Sequence, residues 1–291
     1  VYPTGDQVED IVSAYRQALQ AGAKIVIGPL TRNAVTALAK SGLVTVPTLA
    51  LNYPEEEAVL PENFYLFGLT AEGEARQAAR RAFNDGRRTA LTVAANTPLA
   101  KRVQLAFADA WRELGGKLVA QASVPPERAH FPAVREMVVK HRTDIIFLAA
   151  DADLARIVRP YLDANTPTYA TSMVFGGNRE IGRNVDLNGV LFADMPWLLV
   201  PDHPAVMVYR RAENFSIEQE RLYALGIDAF RIAAVMAQNP QRGEGRVLDG
   251  VTGQISLADH QFQREMAVAQ FREGTAVATE FADPKNLGEP R

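Results

Sequence analysis

Residues 24–42, KIVIGPLTRNAVTALAKSG, decide how the chain is read. The apolar run Ile25 to Ile27 stops at Gly28-Pro29, and Thr31 and Asn33 follow. Val35, Leu38 and Ala39 then share one helical face, and Gly42 closes the segment. The pattern predicts a strand, a tight turn set by Gly28 and Pro29, and a helix with Thr31 near its cap. A turn of this kind aims unpaired backbone N–H groups at whatever lies above the sheet edge, which suits an anion or a carboxylate.

The same rhythm extends in both directions. Val8, Ile11, Val12, Tyr15 and Leu19 have amphipathic helical spacing and stop at Gly22. LVTVPTLAL (43–51) and NFYLFGLT (63–70) read as strands, the first with a bulge or an edge at Pro47. A helix over 71–86, a strand over 88–95 and a helix over 98–116 follow, the last with Leu99, Val103, Ala106, Phe107, Ala110 and Leu114 as its core stripe. KLVAQASV, TDIIFLAA and TPTYATS read as strands, separated by helices FPAVREMVVKH and ADLARIVRPYLDA. Two helices are expected around 203–215 and 219–237, then hairpin strands from 251 to 281, and a loose tail ADPKNLGEPR.

Strand–helix alternation at this spacing implies parallel sheets with helices on both faces. Residues 5–52 and 71–172 form two βα series of similar layout, so two α/β lobes are expected. GLTAEG (68–73) and VLFADMPWLL (190–199) are the candidate crossovers between them.

Lys+Arg total 31 against Asp+Glu 34, well mixed along the chain, so no basic footprint favours nucleic acid or an anionic membrane. With no cysteine, the sequence offers no disulfide, thiolate nucleophile or Cys-ligated zinc. The longest apolar stretches are too short or too interrupted to span a bilayer. Val1-Tyr2 reads as the end of a strand, so the natural protein is expected to begin upstream.

Nothing nominates catalysis. Dinucleotide, P-loop and nucleophile-elbow glycine patterns are absent, and His130, His141, His203 and His260 have no second ligand at metal spacing. PEEEAV (54–59) reads as a solvated loop rather than an acid–base pair, and Asp228 as a brace for a neighbouring loop. Trp111 reads as packing, and Trp197 as hinge packing or as a ligand contact. Neither a catalytic residue nor a cofactor nor a metal is expected. Ligands of such sheets meet the loops after strand C-termini. These loops contain Gly28, Pro29, Leu30 and Thr31, then Asn52 and Tyr53, then Asn96 and Thr97, then Asp151. With Trp197 they form the candidate ligand-binding set.

The segments GPLTRNAVTALA, VPTLALN, FGLTAEGEARQAA, LAADADLARIVRPYL, PTYATS, DLNGVLFADMPWLL, RLYALGIDAFRIAA and LDGVTGQISLADHQFQREM resemble the C-terminal domain of the LpoA (LppC/YraM) lipoproteins. DMPWLL and RLYALGIDAFR are the most specific of them. More broadly the pattern is similar to type I periplasmic binding proteins. The resemblance implies two Rossmann-like lobes joined by three crossovers around a cleft. Lobe 1 is then expected from 1–69 with 198–249, and lobe 2 from 70–197 with 250–291. It also implies a non-catalytic periplasmic module, tethered to the outer membrane by an N-terminal lipid, that activates a class A penicillin-binding protein in peptidoglycan synthesis. The family's lipidated cysteine, its helical N-terminal domain and the first strand and helix of lobe 1 are expected before Val1. The alternative is a receptor that closes on an amino acid, peptide or cell-wall fragment, with Gly28 to Thr31 facing a ligand carboxylate. An enzyme on this fold is the third reading, disfavoured by the missing fingerprints.

Overall fold

A computed structural model of the chain describes residues 1–5, 7–56, 58–125, 127, 130–177, 182–238 and 245–280. In chain order the first elements are α1 (Val8–Gln20), β1 (Val26–Ile27), α2 (Arg32–Lys40), β2 (Thr48–Ala50), β3 (Phe64–Leu66), α3 (Ala71–Asn84), β4 (Thr89–Ala95) and α4 (Pro98–Glu113). They continue with β5 (Lys117–Val124), α5 (Phe131–Lys140), β6 (Ile145–Ala149), α6 (Ala152–Val158), β7 (Thr168–Ala170), β8 (Leu191–Asp194) and α7 (Pro196–Leu199). The last are α8 (Pro204–Met207), α9 (Ile217–Gln238), β9 (Gly245–Asp249), β10 (Gln254–Ala258), β11 (Gln261–Glu265), β12 (Ala267–Arg272) and β13 (Thr275–Glu280). The chain is α/β, with two mainly parallel sheets flanked by helices, one in each of two units.

The first unit comprises Val1–Leu69 and Pro204–Glu265. Its sheet has the order β1-β2-β3-β11-β10-β9, parallel from β1 through β11 and antiparallel beyond. Successive strand residues point to opposite faces. Ala50 packs with Tyr15, Val35 and Leu38, which puts α1 and α2 on one face. Leu49 packs with Leu225, Ala229 and Ile232, which puts α9 on the other. Both faces are therefore covered, as a parallel sheet requires.

The second unit comprises Thr70–His203 and the chain from Met266 onward. Its strand order is β13-β12-β8-β7-β6-β4-β5, parallel from β8 to β5. All five residues of β6 are buried, the continuous apolar run of a central parallel strand. Asp144 ties the starts of β4 and β6, because its carboxylate accepts from the backbone N–H of Arg88 at 3.0 Å and of Thr89 at 2.9 Å. Where the chain enters this unit for the last time, the buried Gln77 amide on α3 pairs with the Met266 backbone. It donates to the carbonyl at 2.8 Å and accepts from the N–H at 3.1 Å.

The structure corrects several boundaries. The chain passes between units at 69/70, 203/204 and 265/266, not at 197/198 and 249/250. VLFADMPWLL therefore lies inside the second unit, as β8 and α7. Residues 254–265 join the first sheet, where Gln261 is in register with Leu66. The strand expected over 43–51 shrinks to Thr48–Ala50, since Pro47 has no N–H to give a ladder. The helix expected over 203–215 is one turn, Pro204–Met207. Further along, Ser216 caps α9: its N–H donates to the Gln219 side chain at 2.8 Å, and the Gln219 N–H donates back to Oγ at 3.3 Å. The core face of α4 is also rotated from the expected stripe. Trp111 and Ala108 are fully buried on it, whereas Leu99 is exposed. The tail 282–291 lies outside the described residues. Among the described residues no helix is long and apolar enough to cross a membrane.

Candidate functional site

In the first unit the chain gathers six of the candidate residues. Gly28 has φ +113°, a left-handed value that favours glycine, and the Gly28–Pro29 peptide is cis. The turn is bonded to the end of β2 by Gly28 N to Leu49 O (2.8 Å), Leu51 N to Pro29 O (2.8 Å) and Asn52 Nδ2 to Leu30 O (2.9 Å). Asn52 Oδ1 in turn accepts from Tyr53 N at 2.9 Å, so this amide fixes the loop conformation with both of its ends. Gly28, Pro29, Leu30, Thr31, Asn52 and Tyr53 thus form one cluster at the C-terminal ends of β1 and β2.

Thr31 is the N-cap of α2 by backbone geometry (φ −85°, ψ 146°), yet its side chain makes no capping bond. Asn33 does that locally instead, accepting from Ala34 N at 2.8 Å. The Thr31 residue is exposed, so its hydroxyl is available at a helix N-terminus. Of the cluster, Tyr53 also lines an open pocket of about 720 Å³, together with Pro54, Glu55, Leu60, Leu66 and Gln261.

Two residues missed in the sequence reading hold this cluster in shape. Arg32 donates from Nη2 to Pro54 O at 2.9 Å, tying the first residue of α2 to the loop after β2. Gly68 lets β3 run past Tyr53, since a Cβ there would lie 3.0 Å from Asn52 Cα and 3.1 Å from the Tyr53 ring. Glu55 and Glu56 are exposed, and Glu56 pairs with Lys40 at 3.0 Å, which makes that acidic run a solvated edge; Glu57 lies outside the described residues.

In the second unit the candidates occupy the ends of β4 and β6. Thr97 caps α4, its hydroxyl accepting from Ala100 N at 3.2 Å, and Asp151 caps α6, its carboxylate accepting from Leu154 N at 2.9 Å. Those oxygens already have a structural use. Asn96 is exposed beside Thr97. Trp197 is fully buried on α7 and so presents no ring to a ligand in this structure.

The caps can be ranked by experiment. Thr97→Ala removes a cap bond and is expected to cost about 1 kcal/mol. Thr31→Ala removes no cap bond and is expected to change stability by less than about 0.5 kcal/mol. Urea unfolding of the two variants, followed by far-UV circular dichroism, checks the ranking; equal losses would refute the assignment of Thr31 as an idle cap.

What this arrangement offers is binding: backbone groups, a hydroxyl and an aromatic wall. Among the described residues no group of three or more His, Asp or Glu could hold a metal ion. The displaced titrations belong to structural contacts. Burial pushes the Tyr169 hydroxyl up, aided by the Asp85 carboxylate to which it donates at 2.8 Å. The Arg88 and Thr89 backbone N–H groups hold Asp144 below the usual carboxylate range.

A family model described as "LppC putative lipoprotein" matches residues 1–128 and 134–274. The penicillin-binding protein activator LpoA of Edwardsiella piscicida is 29% identical over 95% of this chain and 45% of its own length. The LpoA of Edwardsiella ictaluri is 30% identical over 95% of this chain and 46% of its own length, so the chain spans about half of these relatives. Among solved structures, the "LpoA (YraM) C-domain from Haemophilus influenzae, a regulator of PBP1A" superposes with a TM-score of 0.78 at 25% identity, covering 93% of this chain and 86% of that one. A "putative branched-chain amino acid ABC transporter from Chromobacterium violaceum" superposes with a TM-score of 0.79 at 38% identity, covering 92% and 86%.

Proposed function

The chain belongs to the LppC family of lipoproteins, and from that membership we propose that it is the periplasmic module through which an outer-membrane lipoprotein binds and activates a class A penicillin-binding protein. The observation that carries this reading is the match along nearly the whole chain to proteins named as penicillin-binding protein activators. The module would act by docking and shifting the synthase toward its active conformation, which requires only differential affinity for its two states.

The test is reconstitution. The purified chain, added to a class A penicillin-binding protein of the same bacterium, is expected to co-purify with it and to raise peptide cross-linking several-fold, as a coupling energy of about 1–3 kcal/mol allows. No binding together with no stimulation would overturn the proposal.

The alternative of a small-molecule receptor draws on the exposed Thr31 hydroxyl and on the likeness to the Chromobacterium violaceum protein. Titration calorimetry with amino acids and muropeptides separates the two readings. A saturable signal abolished by Thr31→Val would favour the receptor.

A further inference from the structure

The segment DLNGVLFADMPWLL contains the single Asn-Gly pair of the chain, Asn188-Gly189. An asparagine followed by glycine can convert itself without an enzyme. The glycine nitrogen, its proton taken by solvent, attacks the asparagine Cγ, and ammonia leaves as a five-membered imide closes. Water then opens the imide at one carbonyl or the other. The product is aspartate, or an isoaspartate whose link lengthens the main chain by a methylene. Glycine favours the closure because it has no Cβ to hinder the approach and its backbone rotates freely. Asn188 and Gly189 are both exposed, so solvent has access to the pair.

The backbone nevertheless keeps the reacting atoms apart. Asn188 (φ −49°, ψ 133°) and Gly189 (φ +86°) are the central residues of a type II turn, closed by Val190 N to Leu187 O at 2.9 Å. Imide closure needs Cβ and the glycine nitrogen eclipsed about the Asn188 Cα–C bond. At ψ 133° they point to different sides of that bond, out of reach. Three contacts from β12 and the turn after it fix this conformation. Gly274 N donates to Asn188 Oδ1 at 2.9 Å, Gly189 N donates to Phe271 O at 2.9 Å, and Gln270 Nε2 donates to Gly189 O at 3.3 Å. The first holds the side chain that would be attacked, and the second holds the nitrogen that would attack. The third fixes the peptide beyond. Phe271 is in turn seated on β8, its ring stacked on Phe192 at 4.9 Å between centres.

We propose that Asn188 is a self-modification site, locked while β12 and β13 are docked on β8 and released when they lift. All three locking contacts come from residues 270–274, so one local opening of this hairpin breaks them together. An isoaspartate at 188 no longer fits the two-residue span between Leu187 and Val190, so the turn cannot close again as before. Conversion is thus a one-way record of hairpin opening. The inference does not depend on the proposed activator role.

The test follows the tryptic peptide 184–210 by mass spectrometry after incubation in mildly alkaline buffer, with isoaspartate separated from aspartate by liquid chromatography. Conversion at Asn188 is expected to be at least about tenfold slower in the folded chain than in the chain unfolded by guanidinium chloride. Phe271→Leu opens a gap under the hairpin, where the ring is buried, and Gln270→Ala removes the contact to Gly189 O. Both variants should convert at least about threefold faster than the parent in native buffer, while hydrogen exchange on β6 stays unchanged. Equal rates in the folded and unfolded parent would overturn the proposal. So would acceleration in neither variant, or acceleration only alongside lost protection on β6, which marks unfolding of the whole unit.

Discussion

Asp228→Ala is expected to cost the first unit about 3–5 kcal/mol. The residue is fully buried on α9. Its Oδ2 accepts from Thr252 N and Thr252 Oγ1, both at 2.7 Å, while Oδ1 accepts from Val251 N and from Arg231 Nη1, both at 3.1 Å. Alanine leaves three donors of the β9–β10 turn without their acceptor, and Val251 and Thr252 are themselves fully buried, so water cannot replace it. The turn is shaped around this carboxylate. A Cβ on Gly250 would lie 2.4 Å from Oδ2, so Gly250→Ala pushes the acceptor off its donors and is expected to cost about 1–3 kcal/mol. Both tryptophans lie in the second unit, which makes their fluorescence blind to this event. Hydrogen exchange at Ile255 and Leu257 on β10 reports it: both amides should lose protection in Asp228→Ala, while β4 and β6 keep theirs. Unchanged exchange on β10 would show that the turn does not need its brace.

Asp228 was legible as a brace because an acid in the middle of YALGIDAFRIAA has no other use on a helix of apolar neighbours. The βα rhythm was legible for a similar reason, since buried parallel strands and amphipathic helices leave different periods. Pairing across long stretches of chain was not. Nothing in QFQRE announces that it lies beside β3, almost two hundred positions earlier, and so residues 250–265 were expected in the wrong unit. The candidate loops show the same limit. That Gly28 to Thr31 form a turn follows from Gly-Pro after an apolar run, whereas their bonding to Asn52 depends on how β1 and β2 come into register. Thr97 and Asp151 stood out as polar residues at loop ends, but each sits before a helix whose N–H three residues on it accepts, a local signal that marks a cap first.

Trp111→Ala is expected to destabilise the second unit by about 3–5 kcal/mol. The fully buried indole stacks on Phe107 at 5.7 Å between ring centres and takes the Phe83 ring edge-on at 5.9 Å, and its Nε1 donates to Lys117 O at 3.2 Å. Phe107 stacks in turn on Phe147 of β6 at 4.0 Å, so the gap opens between α4 and the central strands. The pair Gly115-Gly116 that ends α4 makes the stronger test. Gly115, at φ +88°, takes the left-handed cap position, with its N–H on Arg112 O at 2.9 Å and the next N–H on Trp111 O at 2.8 Å. Gly116 has no such backbone requirement and is instead held to glycine by the indole, whose atoms would stand 2.4 to 2.6 Å from a Cβ. Gly116→Ala alone should therefore cost about 1–3 kcal/mol. In the Trp111→Ala background the same methyl enters vacated space, and its cost should fall to about zero, a coupling of about 1–3 kcal/mol. Urea unfolding of the four proteins by far-UV circular dichroism measures the cycle. Costs that simply add would mean that Gly116 answers to the backbone and not to the ring.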